Sequence, residues 1–190
     1  MVSIVTLSAL WLPILVSAVI VFFASSILHM VLPYHKSDYK QLPDEEAVRA
    51  VLGKQNLTPA QYVIPYCADM KEMKSPEIVR KWMEGPVGFI TIRPSGTMSM
   101  GKPLVQWFIY CIVMSYVASY LVGRVLGPGA PYLEVFRAIG TATFLGYSGA
   151  SVSSSIWLSR PWSITIKDVF DGLVYASLTG GTFGWLWPRG

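Results

Sequence analysis

The sequence predicts an all-α membrane protein: four transmembrane helices, with a small α+β segment between the first and second. Three observations lead there. Four long apolar stretches, Val2 to Leu32, Leu104 to Gly123, Ala138 to Leu158 and Val169 to Trp187, approach or exceed the ~20 residues that a helix needs to cross hydrocarbon. Hydrophobic residues make up 53% of the 190 and charged residues only 14%, a balance outside the usual range of soluble domains. Lys and Arg gather beside the apolar stretches, where they orient a membrane protein.

The chain therefore reads as residues 1–32, a first transmembrane helix; 33–103, a polar segment; and 104–190, a three-helix membrane region with spans at about 104–126, 133–158 and 165–187. The first stretch has no basic residue ahead of its apolar core, which is longer than a secretory signal needs, so it is expected to stay as an anchor. Pro13 is expected to kink it, with Ser17 able to meet a freed carbonyl.

In the polar segment, Pro43 with Asp44, Glu45 and Glu46 makes an acidic first turn for a short helix ending near Gly53. Ser75 and Pro76 are a cap and first position for a second helix, which Gly85 stops. Val87 to Ile92, set between Pro86 and Pro94, reads as a strand with no evident partner. So little apolar material makes a thin core.

If four spans are crossed, residues 33–103 and the link Ser159 to Lys167 share one side, which holds twelve Lys and Arg against three on the other. The basic side is expected to face the cytoplasm, with both termini outside. Trp107, Trp157, Trp162, Trp185 and Trp187 fall at span ends, as interface anchors do. The pI near 9.1 follows from these flanking cations and predicts contact with membrane lipid, not nucleic acid. Cys67 and Cys111 are isolated from each other in the sequence and are expected to be reduced. Asn56, Leu57 and Thr58 match a glycosylation acceptor, but on the inner side that pattern is inert.

Ionisable residues at membrane depth are the candidate functional groups. Lys167, Asp168 and Asp171 open the last span, and Lys167 with Asp171 has the i, i+4 spacing of an ion pair. Glu134 and Arg137 open the third, near Arg124, and suggest a charge cluster that clamps the turn between two helices. His29 and His35 stand six residues apart, a spacing that does not share a helical face, so His29 reads as an interfacial hydrogen-bonding residue. Gly140, Gly146 and Gly149, with many Ser and Thr, make the third span small-sided; Gly180, Gly181 and Gly184 offer a matching surface on the fourth. Close helix packing is expected there, with the third span central.

Gly96 to Lys102 fits the first seven positions of a phosphate-binding loop, but Pro103 stands where the Mg²⁺-binding hydroxyl belongs. No catalytic residue, cofactor site or metal site is predicted from the sequence.

The strings HKSDYKQLPDE from His35, GPVGFITIRP from Gly85 and DGLVYASLTGGTFGWLWP from Asp171 resemble an uncharacterised family of small bacterial inner-membrane proteins with no assigned activity. That resemblance implies a multi-pass protein of the bacterial inner membrane, with residues 33–103 cytoplasmic. The expected function is non-catalytic, as an accessory, scaffold or assembly subunit of a larger membrane complex, partnered by lipid and by other subunits or copies of itself. The alternative is a small oligomeric transporter or channel with a polar path along the third span and Asp171. A membrane enzyme acting on a lipid or quinone through His29, His35, Asp38 and Tyr39 is the third reading.

Overall fold

The computed structural model describes residues 4–97 and 99–189. The chain is mostly helical. It divides into two compact units, one formed by Met1–Asp38 with Ser99–Gly190 and the other by Tyr39–Met98. Pro33–Asp38, at the start of the polar stretch, thus belongs with the long helices.

The first unit holds four long helices: α1 (Trp11–Ser26), α4 (Gly101–Gly123), α5 (Tyr132–Leu158) and α6 (Trp162–Leu186). A tight 3-10 turn over Leu7–Leu10 leads into α1, so Pro13 falls in its first turn. There a missing N–H costs nothing, and the proline needs no kink. Pro103 sits the same way at the start of α4, which is why that helix begins at Gly101 and not at Leu104. At its far end α1 widens into a π-type turn over Ile27–Val31. Pro33 then forces the preceding Leu32 into extended backbone (φ −79°, ψ 138°), and the chain reverses into a second tight turn, Pro33–Ser37.

The helix α1 packs on α4 and α6, and α5 packs on α6 and α4. Two buried clusters fill the middle. One joins Leu10 and Ile14 to Val122, Val135, Ile139 and Phe183; the other joins Ala18 and Val21 to Cys111 and Tyr175. Buried hydroxyls pair between helices, as Ser17 Oγ does with Ser115 Oγ at 2.9 Å. Much of the outside is apolar: Phe23, Ile109, Leu121, Leu145, Phe170 and Trp185 are all exposed.

The closest approach is between α5 and α6. A Cβ added at Gly180 would lie 2.7 Å from the Phe136 carbonyl oxygen, and one at Gly184 would lie 2.7 Å from the Tyr132 ring. Gly140 lies directly against Gly180, Gly146 against Met114 and Gly172 against Ser148. Around Gly149 there is open space, and Gly181 has only ordinary contact with the Tyr132 hydroxyl. The four helices pack as a ring, so α5 is not central to it, and α6 carries the most buried residues of the four. Its Gly172, Gly180 and Gly184 meet α5 while Phe183 meets α1, whereas Gly149, Ala150 and Ser153 of α5 stay exposed.

Two helical stretches, Leu7–Val31 and Gly101–Gly123, are long and apolar enough to cross a membrane. At 27 and 25 residues α5 and α6 are also long enough. Their Gly, Ser and Thr content holds their hydropathy lower.

The second unit contains α2 (Glu45–Lys54), β1 (Ala60–Ile64), α3 (Pro76–Glu84) and β2 (Gly88–Ile92). Asp44 caps α2 by accepting from the Ala47 N–H at 3.0 Å, and Ser75 caps α3. Gly85 ends α3 at φ +65°, a conformation that only glycine adopts without strain. The strand β2 does have a partner: β1 pairs with it antiparallel, with Ala60 opposite Ile92 and Ile64 opposite Gly88. Sequence reasoning missed β1 because its short Ala-Gln-Tyr-Val-Ile run has no alternating pattern, and cross-strand pairing is not a local property. No residue described in α2, α3, β1 or β2 is fully buried, the thin core that the composition predicts.

Candidate functional site

The reversal at Leu32–Pro33 places the only two histidines of the chain together. On a regular helix residues six apart point in different directions; here the His29 and His35 rings stack with centroids 4.3 Å apart and planes 14° apart. The widened turn carries His29 and the tight turn after Pro33 folds His35 back beneath it. The expectation that they cannot share a face is therefore corrected, because it assumed one continuous helix. Lying side by side, the rings are not arranged as opposite axial ligands of a haem.

Both rings address Asp171, about two and a half turns into α6 and only 3% exposed. His35 Nε2 is 2.9 Å from Asp171 Oδ2, and His29 Nε2 is 3.7 Å from the same oxygen. Tyr34 donates its hydroxyl to Asp171 Oδ1. Behind His35, Nδ1 lies 2.6 Å from Asp38 Oδ2, and Asp38 Oδ1 accepts from Lys167 Nζ at 2.5 Å. Lys167 also donates to the Tyr34 carbonyl at 2.6 Å and to Ser37 Oγ at 2.8 Å. Behind His29, Nδ1 is 3.2 Å from the Ser25 carbonyl.

Electrostatics follow from this wiring. Burial pulls the His35 imidazole down, but its hydrogen bonds to Asp38 and Asp171 and their negative charges outweigh that and leave it above its ordinary value. Burial pushes the Asp38 carboxyl up, yet Lys167 and His35 hold it below the usual carboxylate range. Burial and the adjoining Asp171 raise Tyr34, so its hydroxyl stays protonated as a donor.

Beside the cluster opens a cavity of about 370 Å³ with largely apolar walls, including Met30, Leu104 and Trp107. His29, Asp168 and Asp171 stand at its edge, and Tyr147 and Tyr175 line it. Among the described residues the hydroxyls of Tyr147 and Tyr175 are buried without a hydrogen-bond partner, and Tyr175 as a whole is only 4% exposed. Trp107 is fixed by donating Nε1–H to Ser25 Oγ at 2.7 Å.

Of the residues singled out from the sequence, His29, His35, Lys167 and Asp171 meet in one cluster, whereas Asp168 pairs with Arg160. The pairing expected within α6, Lys167 with Asp171, is replaced by partners from the Pro33–Asp38 turn. Glu134 and Arg137 form no ion pair among the described residues, and Arg124 instead lies over the Tyr120 ring at 5.1 Å, so the clamp expected there is absent. Asp38, named with Tyr39 in the enzyme reading, joins the cluster while Tyr39 stays exposed; nothing local in the sequence ties Asp38 to Lys167 or marks Tyr34 as a site residue. Of the phosphate-loop-like string, Gly101 and Lys102 open α4, Gly96 is at φ +144°, and Met98 lies outside the described residues.

No family model, curated protein or solved structure significantly matches the chain.

Proposed function

We propose that this is a four-pass protein of the bacterial inner membrane, termini outside and residues 33–103 in the cytoplasm, that binds a neutral amphiphile at the inner membrane boundary. The carrying observation is the unpartnered Tyr175 hydroxyl, buried in the wall of an apolar cavity beside the Asp171 cluster. A buried polar atom without a partner costs about 1–3 kcal/mol, which a ligand oxygen would recover. The volume of about 370 Å³ falls within the range of small-molecule sites. Both carboxylates at its edge are already paired, so the head group is uncharged and bears carbonyl or hydroxyl oxygens, as quinones and lipid alcohols do. Four crossings are supported by the apolar outer surface of α5 and α6 at Leu145, Ile156, Phe170 and Leu173, set against hydroxyls buried inside at Thr143 and Thr179.

Extraction of the protein in mild detergent, followed by mass spectrometry of bound neutral lipid, tests this reading. A stoichiometric amphiphile is expected in the wild type and a marked loss in Leu104→Trp, which fills the cavity. Equal lipid content in the two overturns it.

A second reading, membership of a larger membrane complex, is favoured by the exposed small-residue surface of α5 at Gly149, Ala150 and Ser153. Such a surface suits another helix better than it suits lipid tails. Retention of a partner through native gel electrophoresis by the wild type, but not by Gly149→Leu, is the expected result.

A further inference from the structure

His29, His35 and Asp171 bring three ligand atoms within 4.8 Å of one another. The hydrogen bonds behind them decide what those atoms can do. A carbonyl accepts only, so the Ser25 contact puts the proton of His29 on Nδ1. Asp38, held as a carboxylate by Lys167, likewise takes the Nδ1 proton of His35. Each ring thus turns its Nε2 toward Asp171 Oδ2, at 3.7 Å from His29 and 2.9 Å from His35, and in the metal-free protein the shorter contact is a hydrogen bond. Tyr34 occupies the other carboxylate oxygen and leaves Oδ2 facing the rings. A divalent cation that displaces the His35 Nε2 proton meets three donor atoms already converging on one point.

From this geometry we infer that His29 Nε2, His35 Nε2 and Asp171 Oδ2 form a binding site for a first-row divalent transition-metal ion. Two imidazoles and one carboxylate suit zinc, iron, cobalt or copper, while Mg²⁺ and Ca²⁺ prefer oxygen donors throughout. Metal–ligand bonds of about 2.0–2.2 Å set donor separations near 3.3 Å. His35 and Asp171 are already within that reach at 2.9 Å, and His29 at 3.7 Å needs only a small swing, open to it because its side chain is half exposed. Asp38 and the Ser25 carbonyl supply the outer hydrogen bonds that fix metal-binding imidazoles in orientation. With three protein donors, a further coordination position is left for water or a ligand oxygen on the side where His29 and Asp171 border the cavity.

The inference stands on the wiring of the rings and does not depend on the amphiphile, so the two are tested apart. The chelator-stripped protein, purified with a tag free of histidine, is titrated with Co²⁺ and followed by its visible d–d absorption. One equivalent is expected to bind the wild type, with no competition from excess Mg²⁺ or Ca²⁺. His29→Ala and His35→Ala are each expected to weaken binding at least tenfold, and Asp38→Asn, acting through His35, by roughly 10- to 100-fold. His29→Ala guards against a folding artefact, since that half-exposed ring can be removed without opening the core. Leu104→Trp is expected to keep Co²⁺ while losing the amphiphile. Absence of stoichiometric binding in the wild type overturns the inference, as does wild-type affinity in the His29→Ala/His35→Ala double variant, and neither result bears on the lipid measurement.

Discussion

Lys167 Nζ lies 2.5 Å from Asp38 Oδ1, joining the first turn and a half of α6 to the chain reversal that follows α1. Asp38 is 7% exposed and Lys167 23% exposed, so this is a largely buried ion pair. Removing one member of such a pair strands the other.

Lys167→Met is therefore expected to destabilise the protein by about 3 kcal/mol, because Asp38 keeps its charge with only His35 to compensate it. Lys167→Met/Asp38→Leu is expected to recover part of that loss, since no charge is left behind. Thermal unfolding in detergent measures both, and equal losses in the single and double variants would show that the pair itself is not what matters.

Gly180 and Gly149 make opposite predictions from the same substitution. Alanine at Gly180 meets the Phe136 carbonyl at 2.7 Å, a backbone atom that cannot step aside, and a loss of about 1–3 kcal/mol follows. At Gly149 there is open space, and alanine in the protomer is expected to gain about 0.5–1 kcal/mol from helix propensity. The order of their unfolding temperatures checks the packing of α5 on α6.

Tyr175→Phe removes a buried hydroxyl that has no hydrogen-bond partner among the described residues. Stability of the delipidated protein is expected to stay level or rise, while retention of the amphiphile falls. A drop in the stability of the delipidated protein would mean that the hydroxyl has a partner within the fold.

The two thiols report the orientation. Cys111 is buried and Cys67, which lies in the second unit, is partly accessible. A membrane-impermeant maleimide is expected to leave Cys67 unlabelled in intact spheroplasts and to label it after permeabilisation. Labelling before permeabilisation would reverse the orientation.

Features encoded within one turn of chain were legible in the sequence. Ser75, Pro76 and Gly85 mark both ends of α3 because capping and positive φ are local requirements. The long helices follow from the length and apolarity of their stretches. Two kinds of feature escaped. The pairing of β1 with β2 needs a partner some thirty residues away, as in Ala60 opposite Ile92. The candidate site needs Pro33 to be read as a reversal and not as the end of a span. Asp171 and Lys167 were noticed as ionisable groups at depth, but their partners come from a turn that helix periodicity could not place. Glu134 and Arg137 had the right spacing for a pair, and nothing in the fold brings Arg124 to them.

The Pro33 reversal also imposes an order on biosynthesis. His35 leaves the ribosome 136 residues ahead of Asp171, so the nascent chain carries both imidazoles without their carboxylate until α6 has emerged and docked. A chain arrested before that point has the first three long helices yet lacks the acidic donor altogether. The finished cluster thus forms only once α6 is in place, and whatever depends on it stays switched off in every truncated intermediate.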